Sequence, residues 1–504
     1  MKIFKKRINK IFTEIVTELS RHARNKLVDF SVINVLLILF QFLYISFRKV
    51  YLNPEIPLWY TRYWGDYQLA LSKYIYVFPI ISLFILITGL FLIAFLNKYF
   101  VRYITDVLTI VITLCTAFLT YQMLRIFSIA TVPFTPFINP MYISLLPYFL
   151  IALAISYAFL PSFINIMKNL GILTIPGVHS HPSMILRGPS ARGGGIYFSV
   201  LFLILSFVLI GFSKEFLGIY LALVLLSVLS FVDDYQNTHP NSSFKIIENP
   251  LLRLILLTSV VAIPVMSGIK FDVVINPLQY IFNGQFINFT NFELISSIAT
   301  ILWIVWFINV LSWSNGVDGQ FSGIVGIAFI LIALLSLRFK ELTPFHKQIA
   351  LLAAVGAGIS FGTVNQMWHP SKVMWGFGAM SAGFILAILS FLSQSKIITS
   401  ILIILIPFMD ALVTLTRRLM QGKNPLKGDR GHLHHILMAR GWSASKIAIF
   451  YWITTAIFGL IGFLTASKFT IQVGLIIAGI VAFFIILVNV KFIKSKDENS
   501  IFRK

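Results

Sequence analysis

Apolar runs about as long as a bilayer core is thick recur from one end of this chain to the other. They fall at 28–47, 76–97, 103–122, 142–160, 194–213, 215–232, 251–267, 292–311, 318–337, 346–364, 376–393, 397–416, 446–465 and 470–492. A helix rises about 1.5 Å per residue, so roughly twenty residues span the hydrocarbon layer. Within that layer each backbone N–H and C=O needs a partner from the protein itself, which restricts spanning segments to helices and closed barrels. The short alternating polar-apolar segments of a barrel are absent. With 58% of residues hydrophobic and only 12% charged, no soluble domain of this size could hide the apolar surface. The expected fold is an all-α polytopic integral membrane protein of about fourteen transmembrane helices.

Charge sets the expected topology. The formal net charge is +22, but the basic residues lie in short loops and tails, as the positive-inside rule requires, so the charge does not point to nucleic acid. Attraction to anionic lipid and to a phosphorylated substrate is the further reading. Lys2, Lys5, Lys6, Arg7 and Lys10 suit an amphipathic helix over residues 1–27 lying on the cytoplasmic side of the inner membrane. The tail 494–504, with Lys494, Lys496, Arg503 and Lys504, is placed inside as well. An even number of crossings agrees with two cytoplasmic termini. Cys115, the only cysteine, lies in an apolar run, which excludes a disulfide framework or a thiolate metal site. Residues 28–141 read as a three-helix membrane extension, and residues 142–493 as an eleven-helix core.

That topology sends nearly all the Gly, His, Asp and Arg clusters to the cytoplasmic face. The densest is Arg430-Gly431-His432-Leu433-His434-His435, where three of nine histidines fall within four positions, amid Arg417, Arg418, Lys423, Lys427 and Arg440. Imidazoles and cations at a membrane face suit phosphate oxygens. No His-Glu-x-x-His pattern or cysteine set completes a zinc site. Asp233-Asp234 ends an apolar run; the pair reads as a base, as a ligand of Mg2+, or as a solvated helix end. Arg192-Gly193-Gly194-Gly195 opens another run, where glycine amides at a helix N-terminus would meet an anion or simply make a tight turn. Asn309 through Asn315-Gly316-Val317-Asp318-Gly319 links two runs, and Asp318 is expected to open an otherwise apolar helix. Asp410 lies inside the run 397–416, where an acid is functional or pairs with Arg417.

The order of these elements is more specific than any one of them. Arg192-Gly-Gly-Gly, Asp233-Asp234, Asn309…Asp318-Gly319, Asn365…His369-Pro370 and Asp410…Arg417-Arg418…Asp429-Arg430-x-His432-x-His434-His435 follow one another along residues 142–492. This series resembles the polyprenyl-phosphate N-acetylhexosamine-1-phosphate transferase family, and its last element resembles the N-acetylglucosaminyl branch.

The resemblance implies transfer of a sugar 1-phosphate from a UDP-sugar to polyprenyl (undecaprenyl) phosphate, with release of UMP, as a first step of cell-envelope glycan synthesis. It implies catalytic roles for Asp233, Asp234 and His434. It implies substrate contacts from Arg192, Gly193, Gly194, Asn309, Asp318, Arg417, Arg430, His432 and His435. It also implies Mg2+, with Mn2+ as the alternative, held by Asp233, Asp234, Asn309 and Asp318. A homodimer is left open.

The chain departs from the family pattern at several places. Where the family carries Phe-Met-Gly-Asp-x-Gly-Ser, whose Asp is a principal magnesium ligand, Gly376 stands for that Asp and Ala379 for the Ser. Ser312 and Asn315 replace a second Asn and an Asp, and Thr174-Ile175-Pro176 and His179-Ser180 replace the start of the first motif. A second reading is therefore a catalytically altered member that binds lipid-linked sugar or acts as a scaffold. A transporter of polyprenyl-linked sugars is the third; gathering of the ionisable groups at one face counts against it.

Overall fold

The computed structural model describes residues 30–31, 33–58, 68–96, 102–131, 140–175, 189–239, 247, 249–271, 273–275, 286–288, 292–338, 342–393, 397–424, 431–465 and 470–501. The amphipathic segment expected over 1–27, the departures at His179 and Ser180, and Arg430 lie outside the described residues. The chain is overwhelmingly helical, and nine helices among the described residues are long and apolar enough to cross a membrane. It divides into two compact units, residues 1–154 and 155–504, later in the sequence than the boundary expected at 141.

The first unit contains α1 (Ile33–Tyr51), α2 (Val77–Leu96) and α3 (Arg102–Ala130), with an antiparallel pair β1 (Glu55–Pro57) and β2 (Leu69–Leu71). Ile38, Leu86, Ile93 and Ile112 pack together between the helices. The same helices are also joined by polar side chains. Gln41 Nε2 donates to Ser82 Oγ at 3.1 Å and Thr120 Oγ1 at 2.7 Å, and Asn34 Nδ2 donates to Thr113 Oγ1 at 2.8 Å. Lipid tails are as apolar as leucine, so packing and bonds of this kind hold membrane helices together. Each polar residue stands singly in an apolar run, which is why the sequence shows no constellation there.

After the one-turn α4 (Pro140–Ile143), α5 (Leu146–Asn169) carries the division between the units. The second unit continues with β3 (Leu173–Thr174), β4 (Ser190–Ala191), α6 (Gly194–Leu209), α7 (Leu217–Thr238), α8 (Pro250–Met266), the hairpin β5 (Val273–Ile275) and β6 (Phe286–Asn288), α9 (Glu293–Trp313) and α10 (Gln320–Ser336). Then come α11 (Pro344–Met367), α12 (Ala379–Leu392), α13 (Ile397–Ile403), α14 (Leu405–Met420), α15 (Leu433–Ala439), α16 (Ala444–Leu464) and α17 (Thr470–Ile501). Helix α10 is buried along most of its length, packed by α11, α12 and α16. Glycines allow this closeness: Phe361 sits over Gly326, Phe329 over Gly356, Trp452 over Gly323 and Leu331 over Gly459. Outward-facing Val208, Met266, Leu302, Leu464 and Phe483 are exposed apolar side chains of the kind a lipid solvent tolerates.

The helices do not end where hydropathy does. Helix α7 continues past the run ending at 232, so Asp233 and Asp234 lie inside it rather than in a loop. Helix α10 begins at Gln320, which leaves Asp318 in the preceding turn instead of opening the helix. The run 397–416 is split at Ile404 into α13 and α14. Polar residues extend a helix when their side chains find partners, and hydropathy alone does not register this.

Between β4 and α6 the chain is welded to a distant loop. β3 pairs antiparallel with β4, and Ala191 bridges Val373 in parallel. Ala191 N–H donates to Lys372 O at 3.0 Å, and Met374 N–H returns a bond to Ala191 O at 2.9 Å. Gly194 and Gly195 N–H donate to Met374 O and Trp375 O at 2.9 and 3.1 Å. A Cβ on Gly195 would overlap the backbone of Gly378, and backbone cannot yield as a flexible side chain can. Gly195→Ala is therefore expected to destabilise the second unit by about 1–3 kcal/mol. Thermal unfolding in detergent checks this, against Gly479→Ala, where the added methyl meets open space.

Candidate active site

Helix α7 turns the two adjacent carboxylates in different directions, as neighbours about 100° apart on a helix must be. Asp233 faces a cavity of about 710 Å3. Its Oδ1 meets Arg253 Nη2 of α8 at 2.8 Å, and its Oδ2 accepts from Asn237 Nδ2 at 2.7 Å, one turn on. Asp234 is 0% exposed. Its Oδ1 meets Arg192 Nη1 at 3.4 Å and accepts from Phe377 N–H at 3.3 Å, while Oδ2 has no hydrogen-bond partner. Arg192 is itself fixed by Nε donating to Thr174 Oγ1 at 2.7 Å. Two carboxylates this buried repel unless cations attend them, and the two arginines supply that charge.

A second acid sits in the turn between α9 and α10. Asp318 Oδ2 pairs with His369 Nδ1 at 2.7 Å and accepts from Ser371 N–H at 3.2 Å, and its Oδ1 accepts from Ser371 Oγ at 2.8 Å. A third organises the histidines. Asp410, in α14, pairs through Oδ2 with His432 Nδ1 at 2.9 Å and accepts the Leu433 N–H at 2.8 Å through Oδ1. It thus caps α15 and fixes the ring beside it. Of the two readings of Asp410, the pairing with Arg417 is not found. Arg417 instead reaches Asn489 Oδ1 of α17 at 2.7 Å and Gly431 O at 3.4 Å, off the cavity wall.

His432, His434 and His435 all line the cavity. The His432 and His434 rings stack with centroids 5.8 Å apart, and His434 lies 4.1 Å from His435. His434 is buried, its Nδ1 has no hydrogen-bond partner, and Gly316 packs so closely on Nε2 that a Cβ there would overlap the ring. Burial, and then the adjoining His435 and His432, hold its pKa well below the ordinary imidazole value. His434 is therefore a neutral imidazole at neutral pH.

One cavity thus gathers Arg192, Asp233, Asn309, Asp318, His432, His434 and His435 from segments far apart in sequence. Asp234 stands directly behind this wall. The glycines take the second of the two expected roles, a tight turn. Gly193 takes a left-handed φ of 103° to start α6, and the Gly194 amide is spent on Met374 O, so the turn packs backbone on backbone instead of offering amides to an anion. Sequence reading missed Arg253, Asn237 and Ser371. Arg253 had a usable signal: it is the only charge in the run 251–267, and a lone charge in a span calls for a function.

The expected metal ligands do not converge. Among the described residues no group of three His, Cys, Asp or Glu side chains is arranged to hold a metal ion. Asp233 is held by Arg253 and Asn237, and Asp318 by His369 and Ser371. Asn309 Nδ2 donates to Val305 O at 2.7 Å, so of its amide only Oδ1 could serve an ion. Mg2+ wants several oxygen ligands in near-octahedral order, and these residues do not provide them.

The state of His434 has a pH consequence. Its folded pKa lies below the unfolded value, so below about pH 6.5 the unfolded chain binds a proton that the folded chain refuses. Stability should fall on acidification through that range, by at most about 1.4 kcal/mol per pH unit from this one group. His434→Gln should flatten the slope between pH 7 and 5, read by thermal unfolding in detergent at each pH.

The sequence profile described as glycosyl transferase family 4 matches residues 216–394, a stretch that holds Asp233, Asp234, Asn309, Asp318 and Gly376. The chain is 31% identical over 171 residues to the undecaprenyl-phosphate alpha-N-acetylglucosaminyl 1-phosphate transferase of Pasteurella multocida, covering 31% of this chain and 46% of that protein. It is 27% identical over 187 residues to the enzyme of the same name from Escherichia coli K12, covering 35% and 50%. It is 27% identical over 198 residues to a probable undecaprenyl-phosphate N-acetylglucosaminyl 1-phosphate transferase of Bacillus subtilis, covering 36% and 54%. The matches span about half the length of these relatives. Over these stretches the chain is similar to glycosyl transferase family 4 and to the named undecaprenyl-phosphate N-acetylglucosaminyl 1-phosphate transferases, and the ordered motifs meet in one membrane-spanning unit.

Proposed function

We propose that this chain transfers an N-acetylhexosamine 1-phosphate from a UDP-sugar to a polyprenyl phosphate and releases UMP. The observation that carries this reading is the single cavity in which three histidines, two arginines and the outer of two carboxylates meet beside apolar spans. A lipid carrier would arrive along the helices and a nucleotide from the aqueous side. The cavity would face the cytoplasm of the inner membrane, a placement the positive-inside rule supports.

In this reading an oxygen of the lipid phosphate attacks the sugar-bearing phosphorus of the UDP-sugar. A lipid-phosphate–phosphorus bond forms, the bridging bond of the diphosphate breaks, and UMP leaves with the electron pair. Asp233, oriented by Arg253 and Asn237, holds the lipid phosphate in line or takes its remaining proton. His432, with Nδ1 tied to Asp410, lines the cavity, and with His435 it grips the diphosphate. Neutral His434 supports both rings without adding charge beside them. Positioning and electrostatic stabilisation carry most of a phosphoryl transfer, so such a site needs no covalent intermediate.

The test is direct. Purified full-length protein is given undecaprenyl phosphate and radiolabelled UDP-N-acetylglucosamine, then UDP-N-acetylgalactosamine, and UMP and lipid-linked sugar are followed. Both products are expected in equal amounts. Asp233→Asn is expected to lower turnover by about 10²–10⁴-fold, as loss of a positioned acid-base or electrostatic group does. Lipid binding without turnover on any UDP-N-acetylhexosamine would instead mark a binding or scaffold protein.

A further inference from the structure

We propose that this site balances its carboxylates with Arg192 and Arg253 and keeps no resident divalent cation, unlike the arrangement the family resemblance implies. The inference rests on the transferase reading for its substrates, but not for its evidence, which is a charge and space count.

Space comes first. Gly376 stands where the family carries its principal magnesium ligand. It adopts φ +62°, a conformation L side chains rarely take, and a Cβ there would overlap both carboxylate oxygens of Asp234. The acid that the resemblance asks for at 376 would thus have to displace Asp234 and strain its own backbone. Asp234 Oδ2, the one carboxylate oxygen of the pair with no partner, is turned to that glycine. It is buried, and among the described residues no group of three His, Cys, Asp or Glu side chains is arranged to share an ion with it.

Charge comes second. Arg253 at 2.8 Å and Arg192 at 3.4 Å carry two positive charges, enough to offset the most that Asp233 and Asp234 can carry between them. A dication entering at Asp233 would have to displace the Arg253 guanidinium, which also donates to Ile247 O at 3.2 Å and lies 5.0 Å from the Phe377 ring centroid. Arg253 is partly exposed and lines the cavity. It is therefore placed to meet an incoming phosphate as well as Asp233, and a guanidinium fork binds both groups well. Arg253 is the positioning cation of this site.

Mn2+ is the probe, because its electron paramagnetic resonance signal reports bound ion with or without turnover. Full-length protein in nanodiscs, free of nucleotide and lipid phosphate, is expected to hold no stoichiometric Mn2+ up to about 100 μM free ion. Arg253→Gln is expected to weaken undecaprenyl phosphate binding by about tenfold or more, the scale of a lost charge-assisted bond. Arg253→Lys should recover part of that binding and controls for folding. Transfer by the wild type is expected to persist in excess EDTA.

One tightly bound Mn2+ per wild-type chain, released by Asp233→Asn, would overturn the proposal, as would transfer abolished by EDTA and restored by Mg2+. Absence of transfer under every condition, with no Mn2+ bound and Arg253→Gln impaired in lipid-phosphate binding, would leave this inference standing and remove the transferase reading alone.

Discussion

Four acids in the second unit are buried or half-buried, and each is met by a base from another part of the chain. Asp233 pairs with Arg253, Asp234 with Arg192, Asp318 with His369 and Asp410 with His432. Removing a carboxylate from water costs several kcal/mol unless a partner and hydrogen bonds return that energy. Every pair joins segments that hydrophobic packing alone would not bring into register: α7 to α8, β4 to α7, the α9–α10 turn to the loop before α12, α14 to α15. Apolar surface drives these helices into the bilayer but says little about which rotation each adopts, since lipid and leucine solvate a side chain alike. The ion pairs choose the rotation, and the cavity is what that choice leaves open.

Much of this was legible from residues in order. Long apolar runs gave the class, and of the residues singled out in the sequence Arg192, Asp233, Asn309, Asp318, His369, His432, His434 and His435 line the cavity, with Asp234 just behind it. Periodicity and charge could say that Asp410 needed a partner, yet not which one: Arg417 is the near neighbour along the helix, while His432 is nearer in space. Helix ends were also misjudged at Asp233 and Asp318, because hydropathy marks where lipid stops and not where backbone hydrogen bonding stops. The glycines left two readings open. A Gly-Gly-Gly before a helix looks like an anion cradle, but its amides were already committed to Met374 and Trp375, carbonyls that no local pattern reveals.

The histidine triplet also changes meaning once its surroundings are known. Read as a string, it is three equivalent imidazoles among cations. In the fold the three differ: His432 is oriented by a carboxylate, His434 is buried and neutral, and His435 lines the same wall. Under the proposed transfer, a site that would hold a diphosphate and then release UMP gains from such inequality. Uniform positive charge would bind substrate and product alike, whereas graded contacts can favour the charge distribution of the transition state.

The weld between β4 and the loop at 372–375 makes the N-terminus of α6 and the Gly376 turn move as one lever. Ala191, Gly194 and Gly195 grip that loop from one side, and Phe377 N–H grips Asp234 from the other. A tilt of α6 in response to lipid pressing on its exposed apolar face would be delivered, through backbone alone, to the carboxylate behind the cavity. The membrane's thickness and lateral pressure would then act on the chemistry mechanically, with no regulatory ligand between them.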